Sequence, residues 1–194
     1  MSITMVKKIL VRGFFILAVL LGYFLFTVND YQVNGSIDLP ILENPVTIDR
    51  DELGIPYIHA QNFSDALKAQ GFITAQDRLY QIELYKHLGQ GKLSEFIGAR
   101  GIKMDTLIRS IDIPGLAQKQ VELLSDEARD FYLSYIAGIN AFIAQNNEYP
   151  ISMSLLSHQP QPWTLHDIIA LQYFQIWSSS ANWKTELLTQ QVID

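Results

Sequence analysis

The chain contains no cysteine. That excludes disulfides, a thiol nucleophile and thiolate metal ligands, so packing, hydrogen bonds or an ion must hold the fold. It has little positive charge once the first 28 residues are set aside. Lys7, Lys8 and Arg12 are three of the 14 cations and that segment has no carboxylate, so eleven cations face 20 carboxylates and the formal charge is −9. Nucleic-acid binding, which needs a basic face, is excluded. No HxxxH, HExxH or DxDxDG pattern occurs, so no self-contained metal site is expected. Nor is there a GxSxG elbow or a glycine-rich phosphate loop. His166 and Asp167 are adjacent on a helical stretch, point about 100° apart and form no dyad. No complete catalytic constellation is present in this sequence.

What is present suits a packed domain or the first part of a larger one: 194 residues, 48% hydrophobic and 11% aromatic. The hydrophobicity is uneven. Lys7 and Lys8 precede Ile9–Val28, whose only charge is Arg12. About 20 apolar residues span a bilayer, and Arg12 near one end can snorkel. Residues 1–8 are therefore expected as a cytoplasmic basic tail and residues 9–28 as a transmembrane signal anchor. No small-x-small cleavage site follows. Cations before the segment, against Asp30 and Asp38 after it, put the N-terminus inside. The expected location is the inner membrane, with the remainder periplasmic; a cleaved export signal gives the same compartment.

Residues 29–44 read as a linker. Val46 and Ile48 alternate on one face of a short strand, Glu52-Leu53-Gly54 is a turn, and Pro56–Ala60 is a second strand. A lone hairpin of this size is not stable, so it must join a larger sheet. The remainder reads as helical. Ser64 is a candidate N-cap for a helix to about Leu88, ended by Gly89 and Gly91. Ser94–Gly98 is a short turn of helix. A helix over Met104–Asp112 is expected to stop at Pro114-Gly115. Ser125 caps a long helix to about Gln145, with Asp126 and Glu127 favourable in its first turn. Thr164 and Asp167 form a capping box for a helix to about Ser178. Two strands with four or five helices read as part of a larger α+β domain, with residues 45–194 as an incomplete domain.

The helix around "GFITAQDRLYQIE" poses a specific problem. Gly71, Ala75, Arg78, Ile82 and Tyr85 fall on one stripe, and Gln70, Thr74, Asp77 and Gln81 on another. Gly71 and Ala75 imply close approach of another backbone. A buried Arg78 would require a carboxylate partner, and Asp51, Glu95 or a residue beyond this chain are the candidates for a structural ion pair.

The ordered motifs carry a resemblance. Val46-x-Ile48-x-Arg50-Asp51 with Gly54-Ile55-Pro56-Tyr57-Ile58 comes first, then Ser64-Asp65-Ala66, Gly71-Phe72 and Ala75-Gln76-Asp77-Arg78-Leu79-Tyr80-Gln81-Ile82-Glu83. Gly91-Lys92-Leu93-Ser94-Glu95, Asp105 with Arg109, and Tyr135–Phe142 follow. Pro162-Trp163 with Asp167 and Asn182-Trp183-Lys184-Thr185-Glu186-Leu187 complete the set. In this order they resemble the small-chain region of the penicillin acylase family, which includes acyl-homoserine-lactone acylases.

The resemblance implies the N-terminal part of an exported amidohydrolase precursor that cuts itself into a small and a large chain. The N-terminal serine of the large chain would be nucleophile and, through its own α-amine, base. The fold implied is α+β: a mainly helical portion of an αββα N-terminal-nucleophile hydrolase, completed by the large (β) chain, with linear N-acyl amides as substrates. It implies no catalytic residue here, and this portion alone would be inactive. Glu186 matches the carboxylate that the small chain lends to a shared structural calcium; the alternative is a solvated helix glutamate. Ile176, Ser179 and Ser180 match acyl-pocket positions; the alternative is ordinary helix packing. A rival expectation for the whole is a truncated, non-catalytic, membrane-anchored binding protein.

Overall fold

The structure is a computed structural model that describes residues 3–27, 32, 34–145, 149, 153, 158–180 and 182–193. In chain order the elements are α1 (Ile3–Thr27), β1 (Thr47–Arg50), β2 (Pro56–His59), α2 (Phe63–Gln90), α3 (Leu93–Ile97), a 3₁₀ turn (Gly98–Gly101), α4 (Ile102–Ser110), α5 (Ile113–Leu123), α6 (Asp126–Gln145), α7 (Leu165–Ser179) and α8 (Asn182–Ile193). This is mainly helical with a small sheet, as expected.

Helix α2 is the axis of the fold. It begins at Asn62, not at Ser64. Asn62 has extended backbone, and its side-chain oxygen accepts the Asp65 N–H at 2.7 Å. Ser64 lies inside the first turn and shares a hydrogen bond with Ser134 of α6. The helix ends at Gly91, whose φ of 62° is the left-handed conformation that glycine adopts without strain.

Two close crossings fix the layers. A Cβ at Gly71 would lie 2.0 Å from the Tyr135 carbonyl oxygen, and one at Gly138 would lie 1.9 Å from that of Lys68, so α2 and α6 touch backbone to backbone. The approach inferred from Gly71 and Ala75 is thus present, with α6 as the partner. Farther along α2, a Cβ at Gly89 would lie 2.7 Å from the Ala170 carbonyl of α7. Between these crossings lies the core, with Phe72, Leu79, Ile136, Ile139, Phe142 and Ile169 buried. Phe72 and Phe142 meet edge to face at 5.5 Å between centroids.

The expected hairpin forms, antiparallel, with Ile48 opposite Ile58. It is the one sheet among the described residues. Asp51 closes its turn by accepting the N–H groups of Leu53 and Ile55.

Three expectations are corrected. Pro114 does not stop a helix; it sits at the start of α5, where its missing N–H costs nothing, while Asp112 caps that helix through the Gly115 N–H. The described part of the 29–44 segment is not free of the body. The N–H groups of Glu43 and Asn44 bond the buried Asp65 carboxylate, Leu39 packs on the core, and Gln145 donates to the Asp38 carbonyl. The transmembrane anchor is not supported: among the described residues, no helix is long and apolar enough to cross a membrane. Helix α1 covers Ile3–Thr27.

Candidate functional site

The family-like motifs converge on the two faces of α2. On the hairpin side, β1 presents Arg50. Its guanidinium binds Asp77 bidentately, with both N···O distances at 2.9 Å, and also donates to Gln76 Oε1 and the Gly54 carbonyl. Planar fork meets planar carboxylate, which sets the angle of the hairpin on the helix. Arg78 has a different place. It is exposed, interrupts α2 with φ −137° and ψ 21°, and has no ion pair among the described residues. The expected buried ion pair of Arg78 is therefore corrected; the arginine–carboxylate junction of α2 is at Asp77, with the arginine supplied by the strand. The kink explains the displacement: it takes Arg78 off the stripe that a regular helix would continue from Gly71 and Ala75. Of the named partners, Asp51 holds its own turn and Glu95 is exposed.

On the opposite face lies a buried polar cluster. Glu83, 1% exposed, accepts the Trp163 indole N–H at 2.7 Å on Oε1 and faces His158 Nε2 at 3.1 Å on Oε2. Lys86, also buried, lies between Glu83 (3.7 Å) and Asp167 (3.9 Å), donates to the Gln161 carbonyl at 3.0 Å and stands 5.2 Å over the Trp163 ring. Asp167 completes the expected capping box with Thr164 and accepts from Gln90 of α2. Asn140 of α6 clamps the Trp163 backbone in both directions. His87, one turn after Glu83, bonds the Glu83 carbonyl through Nδ1 at 2.8 Å. Burial pushes the His87 pKa down against the opposing pull of Glu83, favouring the neutral ring.

Glu83, His87 and His158 place one ligand-type atom each within 4.8 Å of one another, the one such group among the described residues. The motif scan missed it because His158 lies 75 residues from Glu83 in sequence. The only local signal was Glu83 and His87 at i, i+4.

A third junction orders α3. Asp105 of α4 accepts the N–H groups of Leu93 and Ser94 at 2.6 and 2.8 Å, and Arg109 donates to the Gly91 carbonyl. Burial alone would raise the Asp105 pKa, but hydrogen bonds from Ser94 and Leu93 outweigh it and hold the carboxyl below its ordinary value. Asp65 follows the same pattern: burial opposes, and the N–H groups of Glu43 and Asn44 with the Asn62 amide bring it far down.

The residues matched to a pocket and a calcium ligand lie elsewhere, on α7 and α8. Ile176, Ser179 and Ser180 are exposed at the end of α7, where the Ser180 hydroxyl bonds the Ile176 carbonyl. Glu186 is exposed on α8 and accepts from Asn182 at 3.3 Å. Ile176 is 63% exposed, Leu187 59%, Leu188 62% and Val192 86%, so large apolar side chains stand in solvent on both helices. None of the four histidines bonds a serine or threonine hydroxyl among the described residues: His59 meets Asp49, His87 and His158 meet Glu83, and His166 meets the Pro114 carbonyl. These junctions position helices; no nucleophile is activated in them.

Comparisons with known proteins agree in extent with this architecture. The penicillin amidase family model matches residues 45–194. Penicillin acylase 2 proenzyme of Pseudomonas sp. (strain SE83) is 40% identical over 131 residues, covering 68% of this chain and 17% of that protein. Acyl-homoserine lactone acylase QuiP of Pseudomonas syringae pv. syringae is 29% identical over 156 residues, covering 80% of this chain and 19% of that protein. The chain thus spans about a fifth of the length of these curated relatives. The solved structure of thermostable penicillin G acylase from Alcaligenes faecalis superposes with a TM-score of 0.62 at 26% identity, over 73% of this chain and 75% of that one.

Proposed function

Because the chain belongs to the penicillin amidase family, we propose that it is the small-chain region of a precursor that hydrolyses linear N-acyl amides of the penicillin or acyl-homoserine-lactone type. The nucleophile, an N-terminal serine, is supplied by a large chain outside these residues. The large chain also extends the β1–β2 hairpin into an αββα sheet pair. The observation that carries this reading is the exposure of Ile176, Leu187, Leu188 and Val192, large apolar side chains on α7 and α8 within a region that matches the family to residue 194. Such a surface calls for a covering partner, and the large chain covers it. Ile176, Ser179 and Ser180 stand at that edge, where they line the acyl side of the substrate. Smaller polar groups at two of the three positions select which acyl group fits.

Glu186 fits a calcium site as one exposed oxygen donor on the same surface. A hard cation takes six to eight oxygens, so the large chain supplies the remainder. The ion would brace the junction of the two chains. The N-terminal segment, Lys7 and Lys8 followed by an apolar run, directs export, so that processing and hydrolysis occur outside the cytoplasm.

The test is co-production of this chain with its large chain, followed by hydrolysis assays on a penicillin and an acyl-homoserine lactone. The pair hydrolyses at least one, and the small chain alone neither. Absence of hydrolysis by a correctly cleaved, assembled pair overturns the reading and leaves a non-catalytic binding protein.

A further inference from the structure

We propose that Glu83, His87 and His158 form a binding site for a borderline divalent transition cation such as Zn²⁺, which ties α2 to the segment that leads into α7. The donor set is two imidazoles and one carboxylate, which suits zinc and its neighbours and differs from the all-oxygen set that calcium takes. This inference does not rest on the acylase reading.

Three observations support it. The ligand-type atoms already lie within 4.8 Å of one another, and the His158 Nε2 to Glu83 Oε2 distance is 3.1 Å. Bonds of about 2.0–2.1 Å to a tetrahedral ion require ligand atoms roughly 3.3 Å apart, so the ligands draw together by about 1 Å or more on binding. Next, the His87 Nδ1 is held by the Glu83 carbonyl at 2.8 Å. A metal-binding histidine is oriented in this way, its second nitrogen fixed by a carbonyl and the first left with its lone pair. Last, the two oxygens of Glu83 are divided. Oε1 is committed to the Trp163 indole and Lys86, while Oε2 has its one hydrogen bond among the described residues with His158. An ion on Oε2 therefore leaves the Lys86–Asp167 arrangement in place. The ion takes the Nε2 lone pair of neutral His158, so the ring carries its one N–H on Nδ1, a tautomer reached by proton exchange with solvent at a side chain 16% exposed.

Phe96 walls the site, with ring centroids 5.0 Å from His87 and 4.7 Å from His158. The ion would join α2 to the segment that leads into α7, which makes the role structural.

The experiment uses the full chain, stripped of metal and titrated with Zn²⁺ against a chromophoric chelator while the melting temperature is followed. One Zn²⁺ per chain and a rise in melting temperature are expected. His87→Gln and His158→Gln should each weaken the affinity about tenfold or more, whereas His59→Gln, on the exposed hairpin, should leave it unchanged. Equal affinities across all four proteins, or loss only in His59→Gln, overturn the proposal. If the core variants do not fold, Co²⁺ substitution of the wild type decides: intense tetrahedral ligand-field bands support the site, and a weak octahedral spectrum or none refutes it.

Discussion

Replacing Gly71 by alanine tests the helix crossing at the centre of the fold. The new Cβ would lie 2.0 Å from the Tyr135 carbonyl oxygen, while real Cβ contacts essentially never fall under 3.0 Å. The obstacle is backbone on both sides, so α2 and α6 must part by about 1 Å or more. Parting them loosens Phe72 against Phe142 and opens the core around Ile139. Alanine recovers about 1 kcal/mol of helix propensity. Overpacking costs about 1–3 kcal/mol, and more where backbone must move. The net expectation is about 2 kcal/mol of destabilisation, or a melting temperature lower by about 4–8 °C for a chain of this size. Gly138→Ala should behave alike, and the double variant should cost less than the two singles added, because one separation relieves both clashes. Gln70→Ala, exposed on the preceding residue, should stay within about 0.5 kcal/mol. Thermal and urea unfolding of the wild type and these four variants provides the measurement. A Gly71→Ala protein as stable as the wild type, or more so, refutes the close approach.

The two arginines of the motif region should separate cleanly. In a double-mutant cycle Arg50 and Asp77 should couple by about 1 kcal/mol, modest because both side chains are partly exposed, while Arg78→Ala should change stability by less than about 0.5 kcal/mol. Asp105→Asn should cost about 1–3 kcal/mol at neutral pH through its hydrogen bonds to α3. The sign of its pH dependence follows from a folded pKa below the ordinary value of about 3.9: the contribution is present above that value and fades as pH falls through the folded pKa. The gap between wild type and variant should therefore narrow on acidification below about pH 4; a gap that stays constant contradicts the assignment. Thr164→Ala should cost about 1 kcal/mol by opening the capping box, read from the urea midpoint, and an unchanged midpoint counts against the cap.

Sequence reasoning was strongest where a local rule acts alone. The hairpin, the Ser125 start of α6 and the Thr164–Asp167 box depend on neighbours within a few residues, and each formed as expected. It failed where two local rules compete. Pro114 can end one helix or begin the next, and the left-handed Asp112 chose the second. Ser64 and Asn62 are both capping residues, and the pairing of Ser64 with Ser134 left the cap to Asn62. Arg78 was misplaced because periodicity assumes a regular helix, and α2 is irregular at that residue.

By itself the sequence determined the family, the mainly helical α+β class and the absence of cysteine chemistry, since these follow from composition and from motif order along the chain. It also marked Gly71 as a point of close approach, because a residue without a Cβ on an apolar stripe has few other uses. Only the tertiary structure decided which groups meet. Arg50 reaches Asp77, Asn140 clamps Trp163, and Glu83 and His87 meet His158, because folding brings together residues far apart in the chain. No periodicity encodes such distances: once the glycine crossings set the helix angles, packing places the side chains.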